Sequence, residues 1–337
     1  MNKLDTLYQK MINDIILEFE KALVEGKYDI AKLKKMVLEK LIKEYNELKK
    51  ETDSYNYLRD AYIIQKTSEI KKASKYLETA KEKYSTANSE DKKKILSKTD
   101  NKEIEKIHKF FEQKQANVIN GSLRQIRKFF DNAQKTATHK LNELVSKKTI
   151  KTIAGENRIK AIESLTEELK DALKVPLVNK NKKVIKMELA AYTKLNVNTA
   201  LQNANNSSTI NTGKELGNHL VIFSSHGWTC IVCAKYAEGR VYSTDPSDKT
   251  WPYLYDLPGF KEGYNNLHPN CKHRISGYYL IAYSEQEVAN KRKLSYNSTD
   301  IRSEQNITKY NEAQRKMRIK RLNRLKKQTS MIKNNSK

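Results

Sequence analysis

The chain has 337 residues, with 65 Lys and Arg against 40 Asp and Glu, a formal net charge of +25. Hydrophobic residues make up 38% and charged residues 31%, against about 45–50% and about 25% in ordinary globular domains, which argues against one large globular core and for helices with narrow apolar stripes. No apolar run nears the roughly 20 residues a membrane span needs, no secretory-type apolar segment follows Met1, and three Cys, an odd number, argue against a disulfide framework.

These features predict a protein of a reducing compartment with no membrane anchor. The cationic excess predicts an acidic partner: nucleic acid, an anionic surface or an acidic protein face.

Through the first 175 residues there is no Pro, and apolar residues recur at helical spacing. Leu4, Leu7, Met11, Ile15, Phe19 and Ala22 form one stripe, and Ile30, Leu33, Val37, Leu41, Tyr45 and Leu48 form a second. Glu25-Gly26-Lys27-Tyr28-Asp29 between them reads as a turn, with Gly26 near a helix end and Asp29 as the next cap. Further helices are predicted over about 55–84, 101–117, 122–147 and 157–174, with a loop over 85–91. Val175-Pro176 marks a boundary, because the residue before Pro is biased out of the helical region. From Lys186 the helical pattern resumes through Met187, Ala190, Ala191, Leu195 and Ala200, and it is predicted to dissolve in the polar run 203–208.

The character then changes. Seven of the ten Gly fall between 213 and 277, four of the five Pro between 246 and 269, and both Trp at 228 and 251. Residues 220–223, 240–242 and 275–280 read as short strands of a small antiparallel sheet. The aromatics Trp251, Tyr253, Tyr255 and Phe260, set among Pro and Gly, read as a satellite core rather than a ligand surface. Residues 286–337 hold 15 basic and 4 acidic side chains, and 310–328 reads as a cationic helix. Its nine basic residues against one acidic over 309–327 exceed what solubility needs, and Arg315, Lys316, Arg318, Lys320, Arg321, Arg324, Lys326 and Lys327 are its candidate polyanion contacts.

All three Cys lie between 230 and 271. Cys230-Ile231-Val232-Cys233 is followed, after 34 residues, by His268-Pro269-Asn270-Cys271-Lys272-His273. A Cys-x2-Cys bend sets two thiolates on one side of a turn, and the second cluster supplies a thiolate and an imidazole, the donor set of tetrahedral zinc. The candidate ligands are Cys230, Cys233 and Cys271 with either His268 or His273. The alternative is that reduced Cys pack a small sheet, with the His residues hydrogen-bonded.

The residues around this motif carry a resemblance. Ser224-Ser225-His226-Gly227-Trp228-Thr229 before the first Cys pair, Gly239-Arg240-Val241-Tyr242-Ser243 after it, and Leu267 to His273 follow in a fixed order. Thr193 to Ala200 looks like the helix that precedes the pattern, without its usual Arg-Thr-Glu core, and Tyr310 to Arg321 like the basic helix that follows it. Together, over about 187–327, they resemble the head-morphogenesis proteins of tailed phages, the phage Mu protein F-like and minor capsid protein 2 families. The resemblance implies a virion structural protein lying inside the head near the portal vertex, made in the host cytoplasm, with portal and major capsid protein as partners and packaged double-stranded DNA as a candidate ligand of the tail. It predicts no enzyme. The fold expected is mainly α with a small α+β module: a family-variable helical region at 1–100, a helical region at 101–178, a module with the Cys/His cluster at 179–284, and a basic helical tail at 285–337.

The same residues also fit other classes. A zinc-stabilised nucleic-acid-binding protein fits the cluster and charge. A His-Asn-His-type nuclease fits 266–273, but it needs a general base between its Cys clusters, and no His occurs from 234 to 267. A Cys/His nucleophile pair drawn from Cys230 or Cys233 and His268 or His273 is a further option. Phosphate-loop, Gly-x-Ser-x-Gly and His-Glu-x-x-His patterns are missing, and His108 and His139 stand alone in helical stretches.

Overall fold

The computed structural model describes residues 4–24, 30–51, 53–87, 95–146, 163, 166–178, 184–226, 229–261, 263–316 and 319. The chain divides into two compact units: residues 1–59 with 104–201, and residues 60–103 with 202–337.

Helices α1 (Leu4–Val24), α2 (Ile30–Glu51), α3 (Ser54–Ala73), α4 (Glu78–Ala87) and α5 (Lys98–Ser146) come first in the chain. In the first unit the two stripes read from the sequence meet. Met11, Ile15 and Phe19 of α1 and Val37 and Leu41 of α2 are buried together with Val118, Ile126, Phe129 and Phe130 of α5. Phe19 sits edge-on to both Phe129 and Phe130, at 6.2 and 6.0 Å between centroids, an arrangement that aligns ring edges with ring faces. Residues 166–172 are helical. They are followed by a two-stranded antiparallel hairpin, β1 (Val175–Val178) and β2 (Val184–Met187), in which Val175 faces Met187.

Several boundaries differ from expectation. Residues 101–117 and 122–146 belong to one helix, α5, which passes through Gly121. A mid-helix Gly costs only about 1 kcal/mol, and the buried stripe Phe111, Gln115, Val118, Ser122, Ile126 continues at helical spacing on both sides of it. The single helix expected at 55–84 is two, parted by a turn at 74–77. The boundary at Val175-Pro176 stands, with β1 beginning there, but residues 186–187, expected to open the next helix, belong to β2. The expected turn at 25–29 and residues 88–91 of the expected loop lie outside the described residues.

The larger correction concerns α6 (Leu189–Glu215), which does not dissolve at 203–208. Asn203, Asn206, Ser207, Ser208, Thr209 and Thr212 are buried in it. Ser, Asn and Thr compete with helical backbone when their side chains lack partners, but here the partners are tertiary. Within the second unit Asn206 Nδ2 donates to Asn265 O (2.7 Å), Asn265 N donates to Asn203 Oδ1 (2.7 Å), Asn265 Nδ2 donates to Ser207 Oγ (2.7 Å), and Gln202 Nε2 donates to His273 O (2.7 Å). The polar run is a helix face that holds loops.

Those loops belong to the module. It is built on a three-stranded antiparallel sheet of order β4-β3-β5, formed by β3 (Leu220–Phe223), β4 (Val241–Ser243) and β5 (Ile275–Gly277). Short helix α7 (Ile231–Tyr236) follows β3, and α8 (Glu285–Tyr296) follows β5, opened by a Ser284/Glu287 capping box. Both sheet edges are closed by side chains. Glu69 of α3 accepts from Gly277 N (2.9 Å), Lys72 donates to Gly277 O (2.8 Å), and Ser295 of α8 accepts from Val241 N (2.8 Å). Trp251 and Phe260 are buried core residues, as the sequence suggested. A helical stretch over 304–316 ends the described chain apart from residue 319.

Candidate metal centre

Cys230 stands in extended conformation at the N-cap of α7, and Cys233 lies in the helix's first turn. Ala234 N donates to Cys230 O (2.9 Å), closing the bend that turns both sulfurs to one side. The second cluster is a turn of another kind. Cys271 N donates to His268 O (3.2 Å), and Asn270 takes a positive φ of 56°, a left-handed conformation that Asn tolerates better than most residues. Gly259, at φ 92°, lets the preceding loop pass so close to Leu267 O that an added Cβ would sit 2.2 Å from it.

These two bends face each other. His268 Nε2 lies 3.0 Å from Cys233 Sγ and 3.4 Å from Cys230 Sγ, and Cys233 Sγ lies 3.6 Å from Cys271 Sγ. Thiolates bound to one tetrahedral zinc at about 2.3 Å are separated by about 3.8 Å, and the Cys233–Cys271 spacing and the two His268 contacts are on that scale. Cys233 and Cys271 are buried and Cys230 is half-buried.

His273 occupies the outer side. Its Nδ1 is 4.0 Å from Cys271 Sγ, and its Nε2 is hydrogen-bonded to Glu238 Oε1 at 3.0 Å. Glu238 also accepts from Ser225 Oγ (2.6 Å) and His226 N (3.1 Å), and the His226 and His273 rings meet at 4.7 Å. The sites expected from sequence therefore come together: Cys230, Cys233 and His268 form one group of potential ligands, and Cys233, Cys271 and His273 a second that shares Cys233.

The four donors differ in charge. Hydrogen bonds to Cys233, and further ones to His268, pull the Cys230 and Cys271 thiols well below the ordinary thiol range. Cys233, flanked by those two sulfurs, is pushed up. Hydrogen bonds to Cys230 and Cys271 raise His268 to about 10. Burial raises Glu238, but hydrogen bonds from Ser225, His273 and His226 outweigh it and keep the carboxylate below its usual range. Negative charge thus falls on Cys230 and Cys271, while Cys233 and His268 hold their protons and would have to release them to a metal. Soft sulfur donors with one imidazole are the set a borderline-soft divalent metal selects. The residues present fit zinc.

Ser225, His226 and Arg240 stand in the sequence only as parts of the resemblance, with no role at the cluster, and Glu238 carried no expectation. Glu238-Gly239-Arg240 lies between the Cys pair and β4, and the signal was two opposite charges on either side of a Gly in an otherwise apolar segment. Arg240 is wholly buried, and its donors go to Ala234 O, Asn297 O and Thr299 O. The Gly239 φ of 68° makes the turn that brings Arg240 back beneath α7.

Of the candidate polyanion contacts, Arg315 and Lys316 are exposed on the 304–316 helix. Arg318, Lys320, Arg321, Arg324, Lys326 and Lys327 lie outside the described residues. His108 is hydrogen-bonded to Ser54 (2.9 Å). No helix among the described residues is long and apolar enough to cross a membrane.

The fold and the cluster define a mainly helical protein organised around a small Cys/His knuckle. A family model described as Phage minor capsid protein 2 matches residues 1–336, and the chain belongs to that family. It is a structural protein of the phage capsid, with a part in head morphogenesis, and its place is the virion. The match extends to the first 100 residues, where no specific pattern had been read. No curated protein and no solved structure gives a significant match to the chain.

Proposed function

We propose that this protein is a non-catalytic component of the head interior near the portal vertex, bound to portal or major capsid protein and touching packaged double-stranded DNA through its basic tail. The observation that carries this reading is the charge at the C-terminal end. Nine basic residues against one acidic over 309–327 follow a compact, cluster-centred module. A run of that density matches the phosphate backbone, which is bound through counterion release rather than through base reading. In this reading 1–100 is a family-variable helical region, 101–178 a helical region, 179–284 the module and 285–337 the tail.

The cluster is read as a structural zinc site with Cys230, Cys233, Cys271 and His268 as ligands, and with His273, tied to Glu238, supporting Cys271 from outside. A closed four-ligand site leaves no open coordination position for substrate, in keeping with a structural role. Zinc bound to the folded state alone would add its binding free energy to the stability of a short-stranded module.

Protease protection of purified heads tests the location. The protein should be present in DNA-filled heads and resist added protease until the heads are opened. Its absence from heads, or digestion while the heads are intact, contradicts the reading. Incubation with plasmid DNA and Mg²⁺, Mn²⁺ or Zn²⁺ should give no cleavage, and metal-dependent cleavage lost in His268→Ala would replace it with the nuclease reading.

A further inference from the structure

The described start of the basic helix is not a free end. From α8 onward the chain is fixed to the module at several places. Lys291 Nζ donates to Gly239 O (3.1 Å), and Ser295 Oγ accepts from Val241 N (2.8 Å). Arg240 donates from Nε to Asn297 O (3.0 Å) and from its second terminal nitrogen to Thr299 O (3.1 Å). Arg302 donates to Thr229 O (3.0 Å).

Two of these ties reach the Cys/His knuckle itself. Arg240 holds Ala234 O (2.8 Å), one residue past Cys233 in α7, with the same guanidinium that holds Asn297 and Thr299. Thr229, which accepts from Arg302, is the residue before Cys230. Arg302 is locked in turn by Asp300, with contacts of 2.9 and 2.6 Å, and lies 5.9 Å from the Tyr310 ring one turn and more into the helix. Ser303 Oγ accepts from Asn306 N (3.2 Å) at the helix start.

A guanidinium buried at 0% exposure must have its donors filled, because an unpaired buried charge is strongly unfavourable. Arg240 fills them from both sides, with the knuckle helix on one and the strap to the tail on the other. Neither side can move far without stranding it. A rigid planar fork suits this role in a way a Lys ammonium does not.

We infer that Arg240 and Arg302 are positioning residues that seat the root of the basic helix on the Cys/His knuckle, so that the state of the cluster governs where the tail projects. The metal dependence of this seating rests on the zinc reading above. The seating itself rests only on the two arginines.

Hydrogen–deuterium exchange on the full chain separates the two. Stripping bound metal with a chelator, or the Cys271→Ser substitution that perturbs the knuckle with or without metal, should speed exchange in 231–237 and in 297–310 together, by about ten-fold or more for amides that open locally. Arg302→Ala should speed exchange over 297–310 with metal content unchanged. Arg240→Lys, which keeps the charge and loses the fork, should do the same where Arg240→Ala fails to fold. If Cys271→Ser loosens 231–237 and leaves 297–310 protected, the seating is wrong, and an Arg302→Ala protein with unaltered exchange overturns it equally. A protein that carries no metal, yet responds to Cys271→Ser in both segments, contradicts zinc and upholds the seating.

Discussion

His273 donates from Nε2 to Glu238 across 3.0 Å, and both side chains are almost wholly buried, at 4% and 5% exposure. This pair lies behind Cys271, and it decides which His does what. Partners that orient a ligand shell from outside, when removed, typically weaken metal affinity by about 10–100-fold without dismantling the site. Glu238→Gln and His273→Ala should therefore bind zinc more weakly by that factor, with an unchanged visible spectrum after cobalt substitution. His268→Ala should lose the four-ligand cobalt spectrum. If His273→Ala abolishes binding and His268→Ala keeps it, His273 is the ligand.

A second test concerns Lys66, buried at 1% exposure in α3. It pairs with Asp100 and donates to both oxygens of Glu215 at 2.8 Å, while Tyr62 donates to Asp100 at 2.6 Å. Asp100→Ala leaves Lys66 paired with Glu215 but removes one of its two carboxylate partners and the acceptor of the Tyr62 hydroxyl. Stability should therefore fall by about 1–3 kcal/mol in a chemical denaturation series, less than the about 3–5 kcal/mol of a fully stranded buried charge. Burial alone would raise the Asp100 pKa, but hydrogen bonds from Lys66, Tyr62 and Ser97 bring it below the usual value. A depressed carboxylate contributes stability that is full above the unfolded-chain value of about 3.9 and is lost as pH falls below it. Wild type should lose stability in that acid range more steeply than Asp100→Asn, and parallel acid profiles would contradict the assignment.

The polar face of α6 makes a third prediction. Asn206 ties Asn265 O and Gln202 Nε2 at once, with distances of 2.7 and 3.1 Å. Asn206→Ala takes the amide donor from buried Asn265 O, while Gln202 Nε2 keeps His273 O, at about 1–3 kcal/mol for such a loss. A thermal melt should show it.

Much of this was legible in the sequence and some was not. The stripes of α1 and α2 show in the spacing of Met11, Ile15, Val37 and Leu41, because amphipathic helices advertise one apolar face. The convergence of Cys230, Cys233 and Cys271 shows in their clustering. The polar run 203–208 misled, since its Asn and Ser are stabilised by loops some 60 residues away, a tertiary fact that local propensity cannot contain. Gly121 misled for the opposite reason, because a packed stripe on both sides outweighs one weak helix former. The 34-residue gap hid which His would meet the thiols, as that depends on the turn at Asn270 and the passage at Gly259.

The tail makes the fourth prediction. Each phosphate contact on duplex DNA contributes about −0.9 to the log–log salt slope. With about half of the nine basic residues in 309–327 facing one backbone, binding should show a slope of roughly −4 and little sequence preference. A chain ending at residue 308 should lose that salt-sensitive binding in a fluorescence titration. Equal binding by the shortened chain would place the DNA contact elsewhere, and no binding by the whole chain at low salt would make an acidic protein surface the tail's partner.

The metal content of the full-length protein, purified without chelators and measured by elemental analysis, tests the central claim most directly. One zinc per chain is expected, lost in Cys271→Ala together with a lower melting temperature of the module. A metal-free protein, with a melting profile that Cys271→Ala leaves unchanged, would contradict it and leave the three Cys as packing residues.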